Sequence, residues 1–281
     1  LIYSLVHLIR PVNSLMVGFA VVVGIAVASV HQLLSFATLM GFLTGFGVSA
    51  YSMIINDLYD LDVDRLNRPD KPLPSGRVSP ATAMVEALIL LAIGLVSAYV
   101  LGIPTLLVAA FYAFWSWLYN YRVKESGFLG NTMVATSVAI PYLYGGLSVG
   151  VTEDPLLWMM AVTSLLAAVG REVVKTISDV VGDRARRVRS VMVVYGPAVA
   201  SKVGALFFIA SIASSILPLV FRSAGLVYGV VVIIPIAIFA YATKKILKEY
   251  SAQNAISVKN LALIGMLTGL LAFIAGGILR T

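Results

Sequence analysis

Two short runs concentrate the groups that could do chemistry. In "NDLYDLDVDR", residues 56–65, four aspartates fall within eight positions, directly after a largely apolar run. If the helix of that run continues past Asn56, then Asp57, Asp60 and Asp64 stand at i, i+3 and i+7 along one stripe, and Asp62 points elsewhere. In "SDVVGD", Asp179 and Asp183 stand at i and i+4, again on one face. Two carboxylate stripes facing each other across a bundle repel unless cations lie between them. With oxygen donors only, and no His or Cys nearby, the expected ion is hard: Mg2+, held by one or two carboxylates and by substrate phosphates. Arg10, Arg68, Lys71, Arg77, Lys124, Lys175 and Arg184 are expected around these aspartates. A diphosphate carries more negative charge than bound metals neutralise, so it needs such cations beside an acid-held Mg2+. The bland alternative pairs each aspartate with a neighbouring base on a wet loop. Two spaced clusters, each ending a span on the same face, favour a site, because ionisable groups at a membrane edge are costly.

The elements that carry these runs are membrane helices. The chain of 281 residues is 60% hydrophobic and 12% charged, whereas a soluble domain carries about 25% charged residues. A hydrocarbon core of about 30 Å needs roughly 20 apolar residues per helix. Such runs lie near 12–30, 36–56, 80–100, 103–121, 130–150, 155–177, 197–220, 224–243 and 259–279. The expected fold is therefore an all-α polytopic membrane protein, one transmembrane domain over 1–281. Its nine transmembrane helices would bundle around a central cavity open to the cytoplasmic face. The absence of cysteine excludes a disulfide framework and thiolate metal sites. No cleavable signal peptide is evident, and the first residue is Leu1, so the extreme N-terminus is expected to be missing.

Nine spans put the N-terminus and the even-numbered loops on one side. That side collects 18 of the 20 Lys and Arg, all but Arg222 and Arg280, and all acidic residues but Glu153 and Asp154. The net charge of +7 would suggest nucleic acid in a soluble protein; here its distribution gives orientation instead, and no nucleic-acid partner is expected. By the positive-inside rule the charged face is cytoplasmic. An orientation signal needs cations only, so aspartates crowded among them point to a site.

These residues carry a resemblance. The run "NDLYDLDVDRLNRPDKPLPSGRVS" (56–79) looks like the first motif of the UbiA-type intramembrane prenyltransferases, and "REVVKTISDVVGDRARRVRS" (171–190) matches the second. "RPVNSLMVG" (10–18) and "YRVKESGFLGN" (121–131) agree as well. One position departs: the family usually has an aspartate after the lysine of the second motif, and here it is Thr176. The resemblance implies a Mg2+-dependent enzyme, with two Mg2+ ions on a prenyl diphosphate whose ionisation leaves an allylic carbocation for an acceptor to trap. It implies metal ligation by Asn56, Asp57, Asp60 and Asp64 on one side and Asp179 and Asp183 on the other, with Asn13 joining the first cluster. Lys175, Arg68, Arg77 and Lys124 are then the diphosphate cations, each of which also has a reading as a topology signal or headgroup contact.

Within the family, the sequence looks most like members that attach a second geranylgeranyl chain to the free hydroxyl of geranylgeranylglyceryl phosphate. Arg184, Arg186, Arg187 and Arg189 would suit an acceptor with its own phosphate; positive-inside charge alone also explains them. An aromatic quinone precursor is the alternative acceptor. A transporter would need ionisable groups near the bilayer midplane, and the spans hold almost none. The implied partners are a prenyl diphosphate, a lipid acceptor and membrane lipids, with no protein partner required. Among weaker features, Phe111, Trp115 and Tyr119 share a helix face; an interfacial belt accounts for Tyr119 and Tyr121, the deeper Phe111 and Trp115 could line a prenyl channel or shield a carbocation, and Tyr142 and Tyr144 have the same ambiguity. Gly41, Gly45 and Gly47 read as helix-packing residues.

Overall fold

Caps written into the sequence start many of the helices. The computed structural model describes residues 2–279, and among them the regular structure is entirely helical. A short α1 (Ile2–Leu8) leads into α2 (Pro11–Ala28), whose first residue is a proline pre-set for the first turn. Ser35 caps α3 (Phe36–Tyr59) by accepting from the Thr38 N–H, and Ser79 caps α5 (Pro80–Leu101) by accepting from Thr82. Between them lies a short extension, α4 (Leu61–Asn67). Next come α6 (Ile103–Leu118) and α7 (Phe128–Ser148). Asp154 caps α8 (Pro155–Ser178), which continues through Asp179 into α9 (Val180–Ala185). The chain then runs through α10 (Val191–Val220), α11 (Leu226–Val231), α12 (Ile233–Lys248) and α13 (Ala252–Ile278).

Seven of these stretches are long and apolar enough to cross a bilayer: α2, α3, α5, α8, α10, α11 with α12, and α13. The remaining two expected spans correspond to α6, which has 16 residues, and α7, whose Asn131, Thr132, Thr136 and Ser137 dilute its apolar run. Of these, Ser137 lines an internal cavity, and the Thr132, Thr136 and Ser137 hydroxyls donate to carbonyls of their own helix, which satisfies them inside a membrane. Other boundaries differ from expectation too. The last helix begins at Ala252, so Lys259 sits two turns inside it rather than at its start. In α10, Gly196 adopts φ 81°, which breaks the helix just before Pro197. Arg280 lies outside the described residues.

Helix pairs close through small residues. A Cβ at Gly24 of α2 would lie 2.2 Å from the Tyr142 carbonyl oxygen of α7, and one at Gly145 would lie 2.3 Å from the Val21 oxygen. Backbone therefore meets backbone where α2 and α7 form adjoining cavity walls. Gly41 and Gly45 pack against Val21, and Gly47 against the backbone of Leu90 and Gly94, so all three are packing positions as expected. The largest buried cluster joins α8, α10, α12 and α13 around Phe208, Phe239 and Ile246. A second joins α1, α3 and α5 around Leu8, Ile54 and Leu73.

Candidate active site

A cavity of about 520 Å³ lies inside the bundle, and the aspartate runs stand at one end of it. Its wall changes character with depth. Asp60, Asp64, Arg68, Lys71, Lys124, Lys175, Asp179 and Arg186 line the charged end, joined by Arg10 and Asn56. Val17, Val21, Val108, Met133, Val134 and Ile140 line the rest, with Tyr112, Trp115 and Tyr144 among them. A charged mouth over an apolar chamber fits a lipid with an anionic head.

Each aspartate of the first run has its own partners. Helix α3 ends at Tyr59, and Asp60 bridges to α4 with its backbone still near helical, so the stripe continues. Asp57 and Asp64 are buried and share Lys71, whose Nζ lies 3.1 Å from Asp57 and 2.6 Å from Asp64. Asp57 also takes the Arg10 guanidinium at 2.5 Å. Arg10 holds that contact from a left-handed backbone (φ 45°) immediately before Pro11, a conformation costly for a residue with a side chain. Asp60 turns instead to Lys124, 2.5 Å away, just beyond the far end of α6. Burial pushes the Lys124 ammonium below its ordinary pKa, and the neighbouring Asp60 works against that shift. Asp62 faces out, paired only with Arg65 on the surface, as its position off the stripe implies.

The second run is looser. Asp179 lines the cavity, and Asp183 lies one turn on, half-buried. Burial pushes the Asp183 carboxyl up from its ordinary value; Ser190, Lys175 and Arg186 oppose the shift and Asp179 adds to it. Lys175 reaches the cavity while pairing at 3.1 Å with Glu172, a buried carboxylate that also takes Arg171 at 2.5 Å. Thr176 is buried and its hydroxyl donates to its own helix at Val173 O, so it offers nothing to the cavity.

Several expected contributors fall elsewhere. Asn13 is exposed on the first turn of α2, and its side chain is absent from the cavity wall. Asp57 is likewise absent from that wall, because Arg10 and Lys71 stand over it. Arg77 folds back on its own loop, donating to Asp70 O and to Ser75 Oγ. Of the arginine run, Arg186 lines the cavity while Arg184, Arg187 and Arg189 are exposed around it. The Arg189 backbone joins two loops: its N–H donates to Glu125 O, and its carbonyl packs where a Cβ on Gly127 would be. Trp115 and Tyr119 line the cavity, but Phe111 stacks on Trp115 from an exposed position. Tyr144 reaches the cavity; Tyr142 is buried in the helix packing instead.

Sequence reading missed a polar ladder between α3 and α6. Lys124 meets Asp60, Asn56 Nδ2 donates to Asn120 Oδ1 at 2.7 Å, and Ser116 Oγ donates to Ser52 Oγ at 2.5 Å. All six residues line the cavity. Each pair is 64 residues apart in sequence and four from the next along both sides of the ladder, so the end of α3 and the end of α6 with the turn that extends it run parallel and in register. Each step descends about 6 Å. The four-residue spacing of Ser116, Asn120 and Lys124 was the available signal. The π-helical turn at Tyr119–Val123 lies within this ladder, and such turns recur at functional sites.

The donor set is all oxygen: Asn56, Asp60 and Asp64 from the end of α3 and from α4, and Asp179 from the end of α8. Among the described residues no three acidic or histidine groups converge on a point that would hold a metal unaided. The walls thus suit a hard ion whose shell is completed by oxygens of a bound anion.

An all-helical membrane bundle with such a mouth is the frame of an intramembrane enzyme acting on an anionic lipid. The chain belongs to the UbiA prenyltransferase family, whose model matches residues 17–267. It is 34% identical to the digeranylgeranylglyceryl phosphate synthase of Methanopyrus kandleri, over 96% of this chain and 97% of that one. It is 31% identical to the enzyme of the same name from Thermococcus sibiricus, over 98% and 97%. A solved structure described as giving insights into digeranylgeranylglyceryl phosphate synthase in membranes superposes with a TM-score of 0.87 at 30% identity, covering 99% of this chain and 98% of that one. A UbiA homolog from Archaeoglobus fulgidus, bound to GPP and Mg2+, shares the fold with a TM-score of 0.68 at 22% identity, covering 96% and 99%.

Proposed function

We propose that this prenyltransferase moves a geranylgeranyl group from its diphosphate to the free hydroxyl of geranylgeranylglyceryl phosphate, a step of ether-lipid synthesis. The observation that carries the reading is full-length similarity to synthases of that name, over a cavity that is ionic at one end and apolar along the rest. Mg2+, two ions on this reading, fits the all-oxygen walls and supplies Lewis-acid neutralisation of the departing diphosphate. Asn56, Asp60 and Asp64 would hold one ion and Asp179 and Asp183 the other, with Asp57 in reserve beneath Arg10 and Lys71. Lys124, Lys175, Lys71 and Arg68, which line the same end of the cavity, would take diphosphate oxygens that the metals leave. Arg186 stands at the same mouth for the acceptor phosphate, and the apolar wall around Val17, Val21 and Val108 receives the prenyl tail.

In this reaction the C1–O bond of the diphosphate ester breaks and its electron pair leaves with the diphosphate. The acceptor oxygen then bonds to C1, and its proton passes to an oxygen of the departed diphosphate. Cations fixed beside the leaving group stabilise charge as it develops, which is usually the largest catalytic term. Trp115, Tyr112 and Tyr144 line the chamber where the allylic cation forms, and their ring faces favour positive charge. The cationic mouth is assigned to the cytoplasmic side because 18 of 20 Lys and Arg fall on that face of the spans.

The test is incubation of purified protein with labelled geranylgeranyl diphosphate, Mg2+ and a panel of acceptors. Labelled digeranylgeranylglyceryl phosphate is the expected product, abolished by chelator and restored by Mg2+ or Mn2+. Turnover of an uncharged aromatic acceptor, with none of the glycerol lipid, would overturn the acceptor assignment.

A further inference from the structure

Asn120 takes no part in the bond changes of the reaction, yet it occupies the middle rung of the α3–α6 ladder and is only 9% exposed. Its amide makes two hydrogen bonds of known sense. Nδ2 donates at 3.0 Å to the Ser116 backbone carbonyl, which can only accept. That contact fixes the orientation of the Asn120 amide and turns Oδ1 toward α3. Oδ1 then accepts from Asn56 Nδ2 at 2.7 Å. The Asn56 amide is fixed in consequence: one N–H of its nitrogen goes to Asn120, so its oxygen lies on the other side of the amide, in a residue that lines the cavity. An amide ligates a hard cation only through that oxygen, since its nitrogen carries two hydrogens and no available lone pair.

We propose that Asn120 is a positioning residue that sets the Asn56 amide with Oδ1 toward the metal bound alongside the diphosphate. The inference rests on the reading of this mouth as a metal–diphosphate site. A carboxylate in place of Asn56 would need no such help, because its two oxygens are equivalent. The chain instead carries an amide at 56, whose two ends differ, and a second amide at 120 locked to a backbone carbonyl. Helix register provides the alignment: Asp60–Lys124 above and Ser52–Ser116 below hold Asn120 opposite Asn56.

The equivalence of carboxylate oxygens supplies the test. Mn2+ uptake is measured on purified protein with inorganic diphosphate, by titration with paramagnetic detection of free Mn2+. Asn120→Leu keeps the branched shape and removes both hydrogen bonds. It is expected to weaken Mn2+ binding about 10- to 100-fold, the range for groups that orient a ligand, and to raise the Mg2+ concentration needed for turnover. In an Asn56→Asp background the same substitution should cost little, since no amide remains to be turned. Running the cycle with Asn120→Ala as well keeps it readable where the leucine variant fails to fold. Equal losses in both backgrounds would assign Asn120 to helix packing and overturn the proposal alone. Wild-type protein that takes up no Mn2+ with diphosphate would remove the metal–diphosphate reading, and this inference with it.

Discussion

Asp60 and Asp62 are two positions apart and differ completely in setting. Asp60 lines the cavity against Lys124, whereas the Asp62 side chain is 92% exposed beside Arg65. Asp60→Ala should lower turnover roughly 100-fold or more, by removing charge that holds the metal and diphosphate in the transition state. Asp62→Ala should leave turnover unchanged and shift stability by no more than about 0.5 kcal/mol, because exposed pairs contribute little. Steady-state kinetics on the two variants side by side would check both; near-normal turnover for Asp60→Ala removes it from the catalytic set. The arginine run separates in the same way. Arg186 alone of the four lines the cavity, so Arg186→Gln should carry most of the effect expected from neutralising Arg186, Arg187 and Arg189 together. The expected rise in KM for the phosphorylated acceptor is roughly 1–3 kcal/mol, or about 5- to 150-fold, with a smaller rise for the prenyl diphosphate. Equal rises for both substrates would return the run to general electrostatics.

Between elements, the critical contact joins the two loops that carry Lys124 and Arg186. Gly127 has φ 67°, and a Cβ there would lie 1.9 Å from the Arg189 carbonyl oxygen. An alanine at that position is strained in its backbone and collides with a backbone atom that has little room to yield. Gly127→Ala should therefore separate the loops and destabilise the protein by about 1–3 kcal/mol, the cost of overpacking, with a loss of affinity for the diphosphate. Gly182 lies on α9 in the same region with open space around its Cβ position, so Gly182→Ala is the matched control. Thermal unfolding in detergent would compare them. Similar melting for Gly127→Ala and wild type would show that the loops do not depend on this approach.

For the molecule as a whole, the charge asymmetry predicts the orientation. Cysteine placed at Ser75 or Ser126, both exposed at the charged end, should react with an impermeant thiol reagent from the cytoplasmic side only. Cysteine placed at Thr152, exposed between α7 and α8, should react from the opposite side. The chain has no native cysteine, so each label reports a single site. Labelling of positions 75 and 152 from one side would overturn the topology. The label at position 126, between α6 and α7, examines those two helices: if neither crossed, it would react from the same side as position 152.

The sequence by itself determined the membrane class, the positions of the long apolar helices and the two acidic runs at one face. Those features are local: apolar run length, caps such as Ser79 before Pro80, and aspartate spacing depend on residues close in the chain. It also carried the family, through motifs distributed over most of its length. Only the tertiary structure decided which charged groups face the cavity. Asp57 and Asp60 belong to the same stripe, yet one is covered by Arg10 and Lys71 and the other meets Lys124, 64 residues away. Asn13 and Arg77 sit in matching motifs and are still absent from the cavity wall. Asn120 acquired its partner from the register of α3 against α6, which no local pattern fixes. A helical period assigns a residue to a face of its own helix; what that face meets depends on how the helices pack, through contacts such as Gly24 and Gly145 that lie far apart in sequence.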